Sequence, residues 1–462
     1  MNKKTFDFGI IGAGPAGYTA AIRASQLGKS VVLFEKEHLG GVCLNKGCIP
    51  TKSFLHAADV YNSIKKASSL GIEVENFSVN FEKVAERKEK TVEKIRKSLE
   101  TLLKSYDIEI VCAEAKIISQ EIEAKSKKQK VKSNDPTFCS LPFAFCPEAS
   151  SFIEANGEIY ECLNILVATG SSPKCVGGFE FDHEFILSSD DILELKTLPK
   201  KVLIVGSGAI GIEWARIFSA FGTEVSMVEI ADRLLPLADL EVSARLERTF
   251  KMVRIKMFLS TSVDKIEDKK VTLSSGEIIE HDFVLFATGR GVNFQENLAG
   301  AHLIGDVFGE TQLAHFASHQ AVSVVENIVL SKPQKDFLVP FVVYGEPEIA
   351  WVGETEQELK RKNVEYKKSL FPISALGKAY CDNNLEGFIK VLAYQDKILG
   401  AHIISKEASA LIHQFLIAMQ NGLSVEDLKD CCFAHPTYSE GVYESLLGLN
   451  GMSLSLLKEQ NG

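Results

Sequence analysis

The chain carries one phrase twice. "FGIIGAGPAGYTAAIRASQLGKSVVLFE" (8–35) and "VLIVGSGAIGIEWARIFSAFGTEVSMVE" (202–229) each read as a buried strand, a glycine turn, an apolar helix and a second strand closing on a glutamate. The turns are Gly12-x-Gly14-x-x-Gly17 and Gly206-x-Gly208-x-x-Gly211. In such a turn the first glycine permits a tight bend and the second lets a pyrophosphate approach the backbone. The third lets the helix pack on the strand, with its N-terminal N–H groups facing the anion. Glu35 and Glu229, about 20 positions on, suit a ribose hydroxyl pair. One glycine turn can arise from packing alone. Two complete units point to two dinucleotide sites, and so to electrons passing between two dinucleotides, most simply FAD and NAD. A carboxylate at Glu229 repels a 2′-phosphate, which selects NAD over NADP.

The rest of the chain extends this pattern. "DFVLFATGR" (282–290) echoes "NILVATGS" (164–171), a helix follows "AHLIGD" (301–306), and "FVVYGEPEIAWVG" (341–353) opens a region of alternating strands and helices. Order and pattern give an α/β class: two Rossmann-like dinucleotide-binding domains plus a C-terminal α+β domain. The expected boundaries are 1–172, 173–290, a segment 291–336 returning to the first domain, and 337–462. Residues 81–105 place Val84, Val92, Ile95, Leu99, Leu102 and Leu103 near helical spacing on a charged background, predicting an amphipathic surface helix. The lysine-rich stretch 123–142 reads as an exposed loop or hairpin. The net charge of −10, from 51 basic and 61 acidic residues, disfavours nucleic acid and anionic membrane as partners. The N-terminal lysines and apolar run mimic a secretory signal, but Gly12, Gly14, Pro15 and Gly17 break it. No apolar run is long enough to span a bilayer, and 10 cysteines are too sparse for a disulfide scaffold. A cytoplasmic chain is expected.

"GGVCLNKGCIPTK" (40–52) holds Cys43 and Cys48. An unbroken helix would hold residues five apart with Cα atoms about 8.7 Å apart, beyond the roughly 7 Å limit of a disulfide. A bonded pair therefore requires a distorted turn, for which Asn45, Gly47 and Pro50 supply the means. A plant-type iron–sulfur site would want a third cysteine where Thr51 stands, and no second ligand pair suggests zinc or another metal. Two unreactive buried thiols remain open on spacing. The position after a dinucleotide unit favours a dithiol exchanging electrons with a flavin.

This stretch resembles the redox-disulfide motif of the pyridine nucleotide–disulfide oxidoreductases, in the "CLNxGCIPTK" form of their dihydrolipoamide dehydrogenase branch. "ATGSSP", "VGSGAIGIE", "ATGR", "LIGD", "LAH", "LGAHII" and "AHPTYSE" continue the resemblance over essentially the whole chain. It implies a Cys43–Cys48 redox disulfide, with Cys48 the flavin-proximal, charge-transfer thiolate and Cys43 the interchange thiol. It implies His435 as general base and Glu440 as the acid holding it. Gly12, Gly14, Gly17, Glu35, Lys52, Gly170, Asp306 and Ala314 are implied for FAD, with Asp306 on the ribityl chain. Gly206, Gly208, Gly211, Glu213, Glu229 and Gly289 are implied for NAD, Glu213 also matching the carboxylate partner of Lys52. The implied activity is oxidation of protein-bound dihydrolipoamide with reduction of NAD. The implied partners are a second copy of the chain and the lipoyl domains of an acyltransferase or a glycine-cleavage H protein.

Without the resemblance, His435 is an ordinary structural histidine and Lys52 a solvated lysine. Thr437-x-x-Glu440 then fits a capping box, and the helix dipole suffices for Glu213. Cys431 and Cys432 read as ordinary buried thiols. Three departures from the pattern stand out. Only fourteen residues separate Arg290 from Gly305, so a segment holding a small strand pair is largely missing. The stretch 119–150, with Cys139 and Cys146, is longer than usual. Glu346 and Phe433 stand where relatives commonly have histidine.

Overall fold

The computed structural model describes residues 4–118, 151–293, 300–309 and 311–457. The stretch 123–142, Cys139 and Cys146 lie outside them. The chain divides into two compact units, one of residues 1–49, 90–172 and 290–335, the other of 50–89, 173–289 and 336–462. No described helix is long and apolar enough to cross a membrane.

Along the chain, β1 (Lys4–Ile11), α1 (Pro15–Gln26) and β2 (Val31–Glu35) form the first strand–helix–strand phrase, closing on the expected glutamate. Two helices follow with a break between them, α2 (Gly41–Asn45) and α3 (Cys48–Lys66). Helix α4 (Phe81–Ser105) fills the range its periodicity predicts. Its inward side is Phe81, Ala85, Lys88, Val92, Leu99 and Leu103, whereas Ile95 and Leu102, expected on the apolar stripe, are 38% and 45% exposed. Adjacent helical positions diverge by about 100°, so Leu103 and its neighbour Leu102 cannot both face inward.

Strands β3 (Glu109–Cys112), β4 (Ala115–Ile118), β5 (Ser151–Ala155), β6 (Glu158–Val167), β7 (Ser171–Pro173) and β8 (Ile186–Leu187) come next. The second phrase is β9 (Lys201–Val205), α5 (Ala209–Ala220) and β10 (Glu224–Val228). It is followed by α6 (Leu240–Met252), β11 (Lys256–Phe258), a three-stranded antiparallel sheet β12 (Val263–Glu267), β13 (Lys270–Leu273), β14 (Ile278–Glu280), and then β15 (Phe283–Phe286). β16 (Arg290–Val292) and β17 (Ala301–Leu303) flank the shortened stretch, of which 294–299 lie outside the described residues. A 3-10 turn at Gly305–Phe308 leads to α7 (Ala314–Leu330).

In the first unit β1 lies between β2 and β6, parallel to both, with Ile10 opposite Leu33 and Leu166. One sheet face packs on alanines of α1 and α7, including Ala20, Ala24, Ala317 and Ala321, whose small side chains let helices approach closely. Burial on both faces explains the near-continuous apolar runs. In the second unit the order is β11-β10-β9-β15-β8, all parallel, so β15 stands beside β9 as β6 stands beside β1. The echoed "ATG" phrases thus follow equivalent strands.

The C-terminal region is an antiparallel sheet, β18-β19-β22-β21-β20 in order. Its elements are β18 (Phe341–Val343), β19 (Glu348–Gly353), α8 (Glu356–Arg361), β20 (Lys367–Pro372), α9 (Gly377–Cys381), β21 (Phe388–Tyr394), β22 (Lys397–Ser405), α10 (Ala408–Gln420), α11 (Val425–Lys429) and α12 (Glu440–Gly448). Leu411 and Phe415 of α10 and Val442 and Leu446 of α12 share its core with Phe371, Ile389 and Ile403. This is the expected α+β arrangement.

Candidate active site

Both glycine turns stand at the carboxyl ends of β1 and β9, where the strand order reverses. Gly12 and Gly206 have φ of 100° and 98°, and a Cβ there would lie 2.3 Å from Ala168 O and 2.7 Å from Ala287 O. Ala168 and Ala287 open the two "ATG" phrases, so the second echo is what presses on the first glycine of each turn. A Cβ on Gly17 or Gly211 would strike the carbonyl of Gly12 or Gly206 at 1.8 or 2.1 Å. The middle position differs. A Cβ on Gly208 meets nothing within 4 Å, and on Gly14 only Gly41 Cα at 3.8 Å. Neither helix start carries a side-chain cap, and Pro15 takes the first helical position of α1. An open approach to uncapped helix N–H groups fits a pyrophosphate at each turn.

The glutamates tie these turns down. Glu35 Oε2 accepts from Ala13 N at 2.9 Å and Oε1 from Glu37 N at 2.8 Å. Glu229 Oε2 accepts from Ser207 N and Oγ at 2.8 and 2.7 Å, and Oε1 from Ala231 N at 2.9 Å. Each carboxylate therefore holds the glycine loop to the end of the second strand.

Cys43 lies in α2 and Cys48 begins α3, both half-buried. The helix breaks between them, with Lys46 at φ −135°, which is the interruption a bonded pair requires. Pro50 falls in the first turn of α3, where a missing N–H costs nothing. Asn45 Nδ2 donates to the carbonyls of Leu39 and Gly41 at 3.0 and 2.8 Å, and its Oδ1 accepts from Arg96 Nε at 3.0 Å. The segment is joined to the first glycine turn: Gly40 N donates to Ala13 O at 2.9 Å, and a Cβ on Gly41 would stand 2.6 Å from Gly14 Cα. Tyr18, the residue after Gly17, is held above the ordinary phenol range, first by burial and then by the negative charge that Cys43 and Cys48 carry as thiolates. Its hydroxyl thus lies in the field of both sulfurs. By contrast, burial in the sheet pushes the Cys162 thiol up to about 12.

Lys52 Nζ donates to Glu213 Oε1 and Oε2 at 2.9 and 2.8 Å, with Glu213 buried on α5. Asp306 accepts from Ser171 Oγ at 2.6 Å, and Arg290 Nε donates to the same hydroxyl at 2.9 Å. Gly170 and Gly289 have φ of 72° and 97° and open space at the Cβ position. Ala314 is the first residue of α7. Tyr18, Ser171 and Arg290 escaped sequence reasoning; the last residues of "ATGS" and "ATGR" carried the signal for the latter two.

His435 precedes α12 with its ring 76% exposed, and Nδ1 lies 2.7 Å from Glu440 Oε1. Glu440 Oε2 accepts from Thr437 N at 2.8 Å. Burial raises the Glu440 carboxyl, but the hydrogen bonds from His435 and Thr437 N outweigh it and hold it below its ordinary range. Of the capping box that Thr437-x-x-Glu440 fits, only the bond from Thr437 N to the Glu440 carboxylate is present. The helix begins at Glu440, and Thr437 Oγ1 donates to Ala434 O rather than accepting from Glu440 N. One carboxylate serves turn and imidazole at once because each oxygen takes one partner.

A second correction concerns Cys431 and Cys432, which are exposed, not buried. They follow the short helix α11, and their connection to the His-Pro turn is anchored by the neighbouring Phe433, whose ring centroid lies 5.8 Å from that of Tyr443. Glu346 pairs with Lys66 at 3.4 Å.

Residues 6–307 match the family model described as pyridine nucleotide-disulphide oxidoreductase, and 339–446 match that family's dimerisation domain. The chain is 33% identical to dihydrolipoyl dehydrogenase of Bacillus subtilis, covering 97% of this chain and 99% of that protein. It is 34% identical to the protein of the same name in Chlamydia trachomatis, covering 97% of each. It is also 34% identical to leghemoglobin reductase of Vigna unguiculata, covering 96% and 87%. Among solved structures, LpdA of Mycobacterium tuberculosis has a TM-score of 0.84 at 22% identity, covering 96% of this chain and 99% of that one. That likeness speaks to fold alone.

Proposed function

Because the chain belongs to the pyridine nucleotide–disulphide oxidoreductase family, whose members use FAD and NAD(H), we propose that this flavin disulfide oxidoreductase is a dihydrolipoyl dehydrogenase. It oxidises protein-bound dihydrolipoamide and reduces NAD. The observation that carries this reading is the "CLNKGCIPTK" pair at a helix break, bonded through Gly40 to the first dinucleotide turn.

Glu440 on Nδ1 fixes the imidazole tautomer that leaves the Nε2 lone pair open. In our reading Nε2 takes a thiol proton from dihydrolipoamide, and the resulting thiolate attacks Cys43 Sγ, breaking the Cys43–Cys48 bond and releasing Cys48 as thiolate. The second substrate thiol then displaces Cys43, its proton passing to the departing Cys43 sulfur, so lipoamide leaves as a disulfide. The cysteines hold the electron pair, Cys43 as thiol and Cys48 as thiolate, with the first proton on His435. FAD, when bound, supplies the acceptor for that pair and NAD the final hydride acceptor. Gly12, Gly14, Gly17, Glu35, Lys52, Gly170, Asp306 and Ala314 would hold the first. Gly206, Gly208, Gly211, Glu229 and Gly289 would hold the second, with Glu213 paired to Lys52. The four-part division at 172, 290 and 336 belongs to the same reading. So do the homodimer, the lipoyl domains of an acyltransferase or H protein as partners, and a cytoplasmic location.

The test is NAD reduction by the purified protein with dihydrolipoamide, beside Cys43→Ser. Parental turnover in Cys43→Ser would sink the mechanism. A dithionite titration taking up no electron pair beyond the flavin's own would point instead to a non-catalytic subunit. The leghemoglobin reductase relative supports a broader flavin reductase as the second reading; turnover with other disulfides or oxidants but not dihydrolipoamide would favour it.

A further inference from the structure

We propose that Tyr344, gripped by Arg216, is a positioning residue that fixes the Lys52 ammonium on its carboxylate and thereby tunes the reduction potential of the flavin. This rests on the reading that Lys52 stands beside that cofactor.

Lysine is a point charge on a flexible four-carbon stem, and the Lys52 side chain is 33% exposed. The two bonds to Glu213 come from one carboxylate, so they leave the ammonium room to pivot about it. The Tyr344 ring closes that freedom: Lys52 Nζ lies 4.5 Å from its centroid, within cation–π range.

Tyr344 is itself held at both ends of its backbone. Its N–H donates to Glu213 Oε1 at 3.0 Å, and its carbonyl accepts from Arg216 Nη1 at 2.9 Å. Glu213 and Arg216 are three apart on α5 and so share a face. One helix therefore holds the ammonium's counter-ion and delivers the ring that covers it. Glu213 Oε1 serves both Lys52 and the Tyr344 N–H, so ring and ammonium are registered to a single atom. The next residue makes room for the clasp. A Cβ on Gly345 would stand 2.5 Å from Arg216 Nη1, and Gly345 has φ 132°.

The experiment compares the flavin potential, visible spectrum and rate of reduction by dihydrolipoamide in the FAD-loaded parent, Lys52→Met, Tyr344→Leu, Tyr344→Phe and Arg216→Gln. A cation beside the flavin favours added electrons, so Lys52→Met lowers the potential. Tyr344→Leu shifts it the same way by less and slows reduction roughly two- to fivefold, the factor one such contact is worth. Tyr344→Phe keeps the aromatic face and retains the parental potential. Arg216→Gln spares the ring but frees its carbonyl, and gives the Tyr344→Leu shift even if Tyr344→Leu fails to hold FAD. A parental potential in both Tyr344→Leu and Arg216→Gln, with Lys52→Met shifted, overturns the proposal. A parental potential in Lys52→Met overturns the placement of Lys52, and the proposal with it.

Discussion

A methyl group added at Gly206 or at Gly208 should cause two different losses. At Gly206 it meets the Ala287 carbonyl at 2.7 Å on a backbone with φ 98°, so Gly206→Ala should cost stability, about 1–3 kcal/mol. At Gly208 it meets nothing within 4 Å. Gly208→Ala should therefore melt within a few degrees of the parent while the KM for NAD rises severalfold, since only the ligand needs that space. Thermal melts beside NAD titrations check both. His435→Gln should lower kcat by roughly 10²–10⁴-fold, the range of a positioned general base. Glu440, held low in the folded state, contributes stability above the ordinary carboxylate pKa and loses it as pH falls through its folded value. Glu440→Gln should flatten that acid limb, as melts at successive pH values would show.

At the scale of elements, β21 turns a lysine inward. Lys390 is 0% exposed, and its Nζ meets Asp239 Oδ1 at 2.8 Å and Glu356 Oε2 at 2.6 Å, with Glu241 as a third partner. Asp239, Glu241 and Glu356 are grouped closely enough to hold a metal ion, but the ammonium occupies the place a cation would take. It joins the start of α6 to α8 and to the C-terminal sheet. Lys390→Met removes the ammonium shared by all three carboxylates and leaves buried Asp239 held by the backbone N–H groups of Glu241 and Glu356. It should cost about 3–5 kcal/mol, read by denaturant unfolding. Asp239→Asn with Glu356→Gln in that background should recover part of the loss; no recovery would mean the ion cluster is not the cause. Burial raises both carboxyls, but hydrogen bonds hold them low, from Lys390 and the Glu356 N–H at Asp239 and from Lys360, Lys390 and Tyr366 at Glu356. The carboxylates therefore lose their contribution as pH falls through their folded values. The Lys390 ammonium, held above the ordinary lysine range by its carboxylate partners against the pull of burial, loses its own only as pH rises beyond that range.

For the whole molecule, the family's dimerisation domain and the exposed His435 ring lead to an expectation about shared sites. Subunits carrying Cys43→Ser, mixed with subunits carrying His435→Gln, should regain about a quarter of parental activity on random pairing, because one site per mixed dimer is intact. No recovery above the separate variants, with mixed dimers verified by mass, would place the whole site on one subunit.

Read alone, the sequence determined both strand–glycine–helix–strand units, the range of α4, the α+β C-terminal region and the need for a break between Cys43 and Cys48. These are local quantities, set by residue periods and spacings within one or two elements. Its misses are equally physical. The inward side of α4, the exposure of Cys431 and Cys432, and the division of Glu440 between Thr437 and His435 depend on which side of a backbone faces neighbours. The Lys390 cluster and the Tyr344 clasp join residues 151 and 131 positions apart. No period or motif encodes such pairings; they exist only once packing brings the elements together and burial makes an unpaired charge costly.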